Sequence, residues 1–234
     1  MLKHLMALCL LATPVAAAEC RLALLLGLDI SSSVDAAEDA LQRGGMVTAL
    51  LAPEVQEAFF AVPAPVALAV FEWSGRYNQE IILDWTLVTG PDDLQRAARA
   101  IESSRRSYAE FPTAMGEALS FAAETLARAP RCLHQTIDLA GDGENNEGPG
   151  PAQAYKNPAF RSITVNGLVV ANAADFQTEA RLTEFYRQEV LHGPGAFMVV
   201  ADGFDDYTRA LREKLVRELG VAIIGQHVTP PGPR

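Results

Sequence analysis

An uninterrupted apolar run from Leu22 to Leu28 reads as a short strand buried on both faces. Polar residues follow at once. A helical pattern then runs from about Asp35 to Leu51, with Ser33 placed to cap it. Asp35, Glu38 and Asp39 lie in its first turns, where the helix dipole favours negative charge. Pro53 breaks the pattern, Val55 to Phe60 adds one further helical turn, and Pro63 and Pro65 close it. Two strand-like runs, Val66–Trp73 and Glu80–Val88, flank the polar connector Ser74-Gly75-Arg76-Tyr77-Asn78. So short a connector predicts a hairpin, hence an antiparallel pair at one sheet edge.

Gly90-Pro91-Asp92-Asp93 opens the next helix, with Leu94, Ala97, Ala98 and Ile101 at helical spacing. A polar stretch from Glu102 to Pro112 leads to Thr113 and a helix through about Arg128. The strand Gln135–Ala140 ends in Gly141-Asp142-Gly143-Glu144-Asn145-Asn146-Glu147-Gly148. A strand Ile163–Val170, a helix from about Asp175 to Val190, a strand Ala196–Ala201 and a helix Phe204–Leu219 complete the pattern. Strands alternating with helices, plus one hairpin, predict an α/β fold: a doubly wound, mostly parallel six-stranded sheet with one antiparallel edge strand and helices on both faces. The switch point falls between the first strand and Gln135–Ala140. There two Asp-bearing loops meet, at the carboxyl ends of the strands, where ligands of such sheets bind.

Composition narrows the function. The 234 residues, 49% hydrophobic and 21% charged, suffice for one domain with a full core. A net charge of −10 and a pI near 4.9 argue against nucleic acid or an anionic membrane surface as the main partner. Residues 1–18 carry the pattern of a secretory signal: Lys3 and His4, an apolar run Leu5–Ala12, a break at Thr13 and Pro14, and Ala16-Ala17-Ala18 before Glu19. That run is too short to span a bilayer, so the expectation is an exported protein, periplasmic or secreted, with no membrane span. A lipid-anchored Cys20 is the alternative, against which Glu19 stands where a small residue is expected. The domain is expected over 19–222, followed by a flexible Pro-rich tail, 223–234. Cys9 leaves with the signal. Cys20 and Cys132 each lie just before a predicted strand, and if those strands are parallel neighbours the two thiols come within bridging reach. An oxidising compartment favours the disulfide over a pair of free buried thiols.

The chemistry concentrates in Asp29-Ile30-Ser31-Ser32-Ser33. Asp29, Ser31 and Ser33 put three oxygen side chains at alternate positions into the loop after the first strand. Such oxygens suit a hard cation such as Mg²⁺, which prefers octahedral oxygen coordination. With Thr113 before a later helix and Asp142 after the fourth strand, the chain resembles a von Willebrand factor A (vWA) domain with a metal-ion-dependent adhesion site, a vWA/Rossmann-like fold. The resemblance covers about Arg21 to Leu219. Its detail (Glu-Trp-Ser-Gly, Gly-Asp-Gly-Glu-Asn-Asn, Val-Asn-Gly-Leu, His-Gly-Pro-Gly-Ala-Phe) looks like an exported bacterial subgroup with no assigned activity. It implies that Ser31, Ser33 and Thr113 offer hydroxyls to the cation, and that Asp29 and Asp142 hold it directly or through water. It also implies that another protein's Asp or Glu completes the octahedron; Mg²⁺, Mn²⁺ or Ca²⁺ would serve. One departure is the Phe-Pro-Thr before the later helix, where many members have Gly ahead of the Thr; Pro112 stiffens that loop.

Other residues read more plainly. Glu144, Asn145, Asn146 and Glu147 border the site as a partner-binding rim or a solvated loop. Trp73 belongs to the core or, with Tyr77, anchors a partner. His134, His192 and His227 show no ligand spacing, and Asp202, Asp205 and Asp206 crowd a helix start. A binding module is the first reading, with no enzymatic activity expected. A metal-dependent phosphatase of the haloacid dehalogenase type would want a second Asp two residues after Asp29, where Ser31 stands. The motifs of nucleotide binding and of Ser hydrolases are missing from the sequence. A scaffold subunit with a purely structural metal is the third reading.

Overall fold

The computed structural model describes residues 19–171 and 176–224. Its first strand, β1 (Cys20–Asp29), is buried along its whole length. The chain then forms α1 (Ala36–Leu50), α2 (Pro53–Phe60), β2 (Val66–Trp73), β3 (Gln79–Val88), α3 (Pro91–Ser103) and α4 (Met115–Leu126). It continues through β4 (Cys132–Gly141), a short helix α5 (Pro151–Ala154), β5 (Ile163–Ala171), α6 (Phe176–Phe185), β6 (Met198–Asp202) and α7 (Tyr207–Ile224). The strand order is β3-β2-β1-β4-β5-β6. Of the six described strands only β3 runs antiparallel, against β2, at the predicted edge. The chain winds outward from β1 to β3, returns to β4, and winds out again to β6. The switch point therefore lies between β1 and β4, as the alternation of elements predicts.

Period-two alternation in β1 sorts its side chains into two cores. Leu22, Leu24, Leu26 and Leu28 face a layer built from α1, α2, α3 and α7, through residues such as Met46, Phe59, Leu94 and Leu215. Ala23 and Leu25 face the other way, with Phe71, Trp73, Ile137 and Leu139, toward Leu119 of α4, Ala154 of α5 and Leu182 of α6. Each buried Leu contributes about 1.5–3 kcal/mol relative to exposure. Leucines alternating between two apolar layers explain why β1 reads as an unbroken apolar run.

The amino ends of β1 and β4 are joined covalently. Cys20 and Cys132 are register partners on these parallel strands, form a disulfide and stand 4.4 Å apart at Cα. Cys20 is thereby engaged, which sets aside the lipid-anchored alternative. Several boundaries differ from expectation. Ser33 does not cap α1: a turn closed by Val34 N–H donating to Ser31 O delays the helix. Asp35 caps it instead, accepting from the backbone N–H of Ala37 and Glu38, while Glu38 accepts from Asp35 N–H. The segment after Pro53 is an eight-residue helix rather than a single turn, because Pro at its first position is pre-set for helical φ. The helix after Thr113 stops at Leu126, short of Arg128. α7 runs on to Ile224, past the expected Leu219. The expected helix from Asp175 starts at Phe176 within the described residues and widens into a π-helical turn over Tyr186–Val190. The secretory signal, His227 and the tail from 225 lie outside the described residues. No described helix is long and apolar enough to cross a membrane.

Candidate metal centre

β1 and β4 end side by side: Asp29 closes β1, and Asp142 directly follows Gly141, the last residue of β4. Asp29, the last residue of β1, is 1% exposed. Its Oδ1 accepts from Ser31 N–H at 2.7 Å, which folds the loop back over the strand end. Ser31 Oγ lies 3.0 Å from Ser33 Oγ, and Ser33 Oγ donates to Asp142 Oδ1 at 2.7 Å. One hydrogen-bonded chain thus runs from the first loop to the loop after β4. Ser33 reaches Asp142 because Asp35 has taken over the capping of α1.

Thr113 is brought to the same place by the β4 loop. Thr113 N–H donates to Asn146 Oδ1 at 2.8 Å, and Thr113 O accepts from the N–H groups of Asn146 and Glu147. A Cβ built on Gly143 would stand 3.6 Å from Thr113 Oγ1, so this hydroxyl faces the loop carrying Asp142. The structure therefore links Asp29, Ser31, Ser33 and Asp142 through hydrogen bonds and sets the Thr113 hydroxyl against Gly143, the residue after Asp142. Of the proposed rim, Asn146 braces Thr113 and Asn145 Oδ1 accepts from Gly116 N–H at 3.4 Å. Glu144 makes a two-point ion pair with Arg181 of α6, at 2.6 and 2.9 Å. A groove of about 410 Å³ opens beside Asp142, lined by Gly143, Glu144, Asn145, Asn146 and Arg181. Trp73 is fully buried, whereas Tyr77 is 85% exposed on the hairpin turn. His134 is exposed on β4, and His192 donates from Nε2 to Phe160 O. Asp206 accepts from Asp202 N–H and pairs with Arg209 at the start of α7.

The electrostatics are those of two carboxylates pressed together. Burial, and then the charge of Asp142, push the Asp29 carboxyl up to about 7, against the opposing effect of its bonds to Ser31 and to the Asp142 backbone. Burial and then Glu38 raise Asp142 as well. Asp29 Oδ2 is buried without a hydrogen-bond partner. An unpartnered carboxylate oxygen, a second carboxylate and three hydroxyls fit a hard divalent cation, which would offset the repulsion and accept all five oxygen donors. Among the described residues no group of three or more His, Cys, Asp or Glu side chains is placed to hold a metal. The donor set here is hydroxyl-rich instead.

Three supporting residues escape sequence reasoning. Arg106 donates to the carbonyls of Ile30, Ser31 and Val34, which pins the Asp29–Ser33 loop from outside. Gln42 Nε2 donates to Asp29 O at 2.7 Å. Tyr186 lies against the far side of the site, and burial followed by Asp29 and Asp142 raises its hydroxyl well above 10, so it stays protonated. A signal exists for Gln42: Asp39, Gln42 and Arg43 stand at core spacing with Met46, Ala49 and Leu50. Arg43 there pairs with Asp39 and with the fully buried Glu72. Arg106 sits in an aperiodic polar stretch that offers no such signal.

A family model described as "Protein of unknown function (DUF1194)" matches residues 19–223. Among curated proteins nothing matches. Several solved structures do. Proximal thread matrix protein 1 from the mussel byssus is similar at 15% identity and a TM-score of 0.58, over 87% of this chain and 49% of that one. Another structure of that protein, with a zinc-occupied MIDAS motif, matches at 13% identity and a TM-score of 0.57, over 87% of this chain and 48% of that one. The conserved hypothetical protein BatB of Bacteroides thetaiotaomicron matches at 18% identity and 0.55, over 86% of this chain and 99% of its own. A von Willebrand factor type A structure from Catenulispora acidiphila matches at 15% identity and 0.55, over 87% and 43%. The chain thus spans about half the length of the mussel protein and less than half of the Catenulispora one.

Proposed function

Since the chain belongs to the family described as Protein of unknown function (DUF1194) and has the vWA fold, we propose that it is an exported, divalent-metal-dependent protein-binding module of adhesion type. Asp29, Ser31, Ser33, Thr113 and Asp142 would hold Mg²⁺. An Asp or Glu of another protein would complete its coordination from the open side, beside the groove at Asp142. Two carboxylates against a divalent ion leave the site near neutral, so the metal stays electrophilic toward an incoming carboxylate. The observation that carries this reading is the continuous link Ser31–Ser33–Asp142 next to a buried, partnerless Asp29 oxygen. The chain's own contribution is rigid presentation. Arg106, Gln42 and Asn146 fix the three loops before any partner arrives, which lowers the ordering cost of binding. The acidic surface, at net −10, keeps nucleic acid from the partner list. Binding of this kind needs no enzymatic step, and none is assigned.

Thermal unfolding in EDTA, Mg²⁺, Mn²⁺ or Ca²⁺, with Asp29→Ala as control, tests the site. A cation at about a hundred times its dissociation constant adds roughly 2.7 kcal/mol, or roughly 5–10 °C for a chain of this size. The rise is expected in the native protein and not in the variant. A divalent-dependent pull-down with acidic peptides then tests the partner chemistry. No rise with any of the three cations removes the metal from the proposal.

A further inference from the structure

Beneath the candidate metal centre, three buried polar atoms converge on one spot of the sheet surface. Asp29 Oδ2, Tyr186 Oη and Trp73 Nε1 each lack a hydrogen-bond partner among the described residues. Gly141 marks the spot. A Cβ built there would stand 2.7 Å from Tyr186 Oη, 3.0 Å from Asp29 Oδ2 and 3.4 Å from Trp73 Cζ2, the carbon beside the one that bears Nε1. Asp29 and Trp73 are register partners on β1 and β2, so their side chains share a sheet face. Tyr186 comes from the opposite direction, out of the wide turn that ends α6. Its ring lies across Gly167 of β5, where a Cβ would be 2.5 Å from Cδ1.

Two glycines on adjacent strands therefore clear a path for one phenol. Ring packing alone needs no hydroxyl at the end of that path, and a buried hydroxyl left unbonded is costly. The groups are complementary: a tyrosine O–H and an indole N–H donate, and an ionised carboxylate only accepts. Ser31 N–H already occupies Oδ1; Oδ2 carries two lone pairs, one to accept from these donors and one to face the cation. We propose that Tyr186 is a positioning residue of the metal centre: its hydroxyl, with the Trp73 N–H beside it, donates to Asp29 Oδ2, directly or across one buried water, and sets the orientation in which Asp29 meets the cation. Outer partners of ligating carboxylates act in this way. The final clause rests on the metal reading above; the pairing of Tyr186 with Asp29 does not.

The test uses Tyr186→Phe, which keeps the ring and removes only the hydroxyl. Calorimetric titration of the disulfide-intact protein with Mn²⁺ alone should give about tenfold weaker binding in the variant. A purely structural ring would leave the affinity unchanged, and that result overturns the positioning role. A second arm needs no metal: urea unfolding in EDTA of Tyr186→Phe, Asp29→Asn and the double variant. Non-additive midpoints are expected, and additive ones overturn the pairing. If the native protein binds no Mn²⁺ while the cycle is non-additive, the metal reading fails and the Tyr186–Asp29 pairing stands. No binding with an additive cycle overturns both.

Discussion

The charge balance of the site turns on Asp29. Its carboxyl is pushed up to about 7 from an ordinary 3.8, by burial first and Asp142 second. A folded-state value above the unfolded one means that the metal-free fold gains stability by holding the proton. That gain is complete below the unfolded value and is lost as pH rises through about 7. A cation has the opposite preference, because it needs both carboxylates charged. In EDTA, Asp29→Asn should therefore melt above the native protein at about pH 8, and the gap should close toward about pH 5. Saturating Mg²⁺ at the higher pH should reverse the order. Scanning fluorimetry across that range checks it, and a gap independent of pH would contradict the burial of a charged Asp29. The same residue shows what a sequence reveals at this scale. Asp29, Ser31 and Ser33 are legible because one short loop carries both their chemistry and their spacing. Arg106 is not, since it reaches Ser31 from 75 residues away and nothing local marks it.

Among the elements, existence is easier to read than ends: β4 starts at Cys132 rather than Gln135, and β6 at Met198 rather than Ala196. β2 has the predicted bounds because its apolar run is cut sharply by Pro65 and Ser74. α1 starts later than expected because two residue types suited to capping compete within three positions. The geometry of the turn after Ser31, not propensity, awards the cap to Asp35. α5 and the turn at Pro158–Arg161 leave no sequence signal, since four residues are too few to show a period. The disulfide was readable from the fold class once β1 and β4 were taken as parallel neighbours. It closes a separation of 112 residues, for which the chain-entropy model gives up to about 4.7 kcal/mol. Replacing both Cys20 and Cys132 by Ser should lower stability by about 3–4 kcal/mol, read as a shift of the urea midpoint. The response to Mg²⁺ should survive. The bridge sits at the amino end of β1 and Asp29 at its carboxyl end, about 30 Å of strand away. A lost metal response in a variant that still folds would mean that the two ends of the sheet are coupled.

At the scale of the whole molecule, the alternation of strands and helices conveyed two apolar layers around one sheet, but not the charges buried between the sheet and α7. Lys214 is fully buried there, 2.7 Å from Asp138 of β4 and 2.6 Å from Glu218 one turn further along α7. Asn166 of β5 donates to the same Glu218 oxygen and accepts from Phe197 N–H. No periodicity foretells this, because a Lys and a Glu on a helix usually mark its solvated side. Burial pushes the Asp138 carboxyl up to about 7, with Lys214 opposing and Glu218 adding to the rise. Near neutral pH the cluster can thus hold a proton as well as its one cationic side chain. Lys214→Met should destabilise by about 3–5 kcal/mol, because it strands two carboxyls in the core rather than because it removes a favourable pair. If charge is the cause, adding Asp138→Asn and Glu218→Gln should return most of the loss, with hydrogen bonding kept for Asn166. Urea unfolding of the single and triple variants decides between the two. An equal loss in both would assign Lys214 to packing, as a long aliphatic stem filling the seam under α7 beside the Phe197 ring, which its Nζ approaches to 5.1 Å.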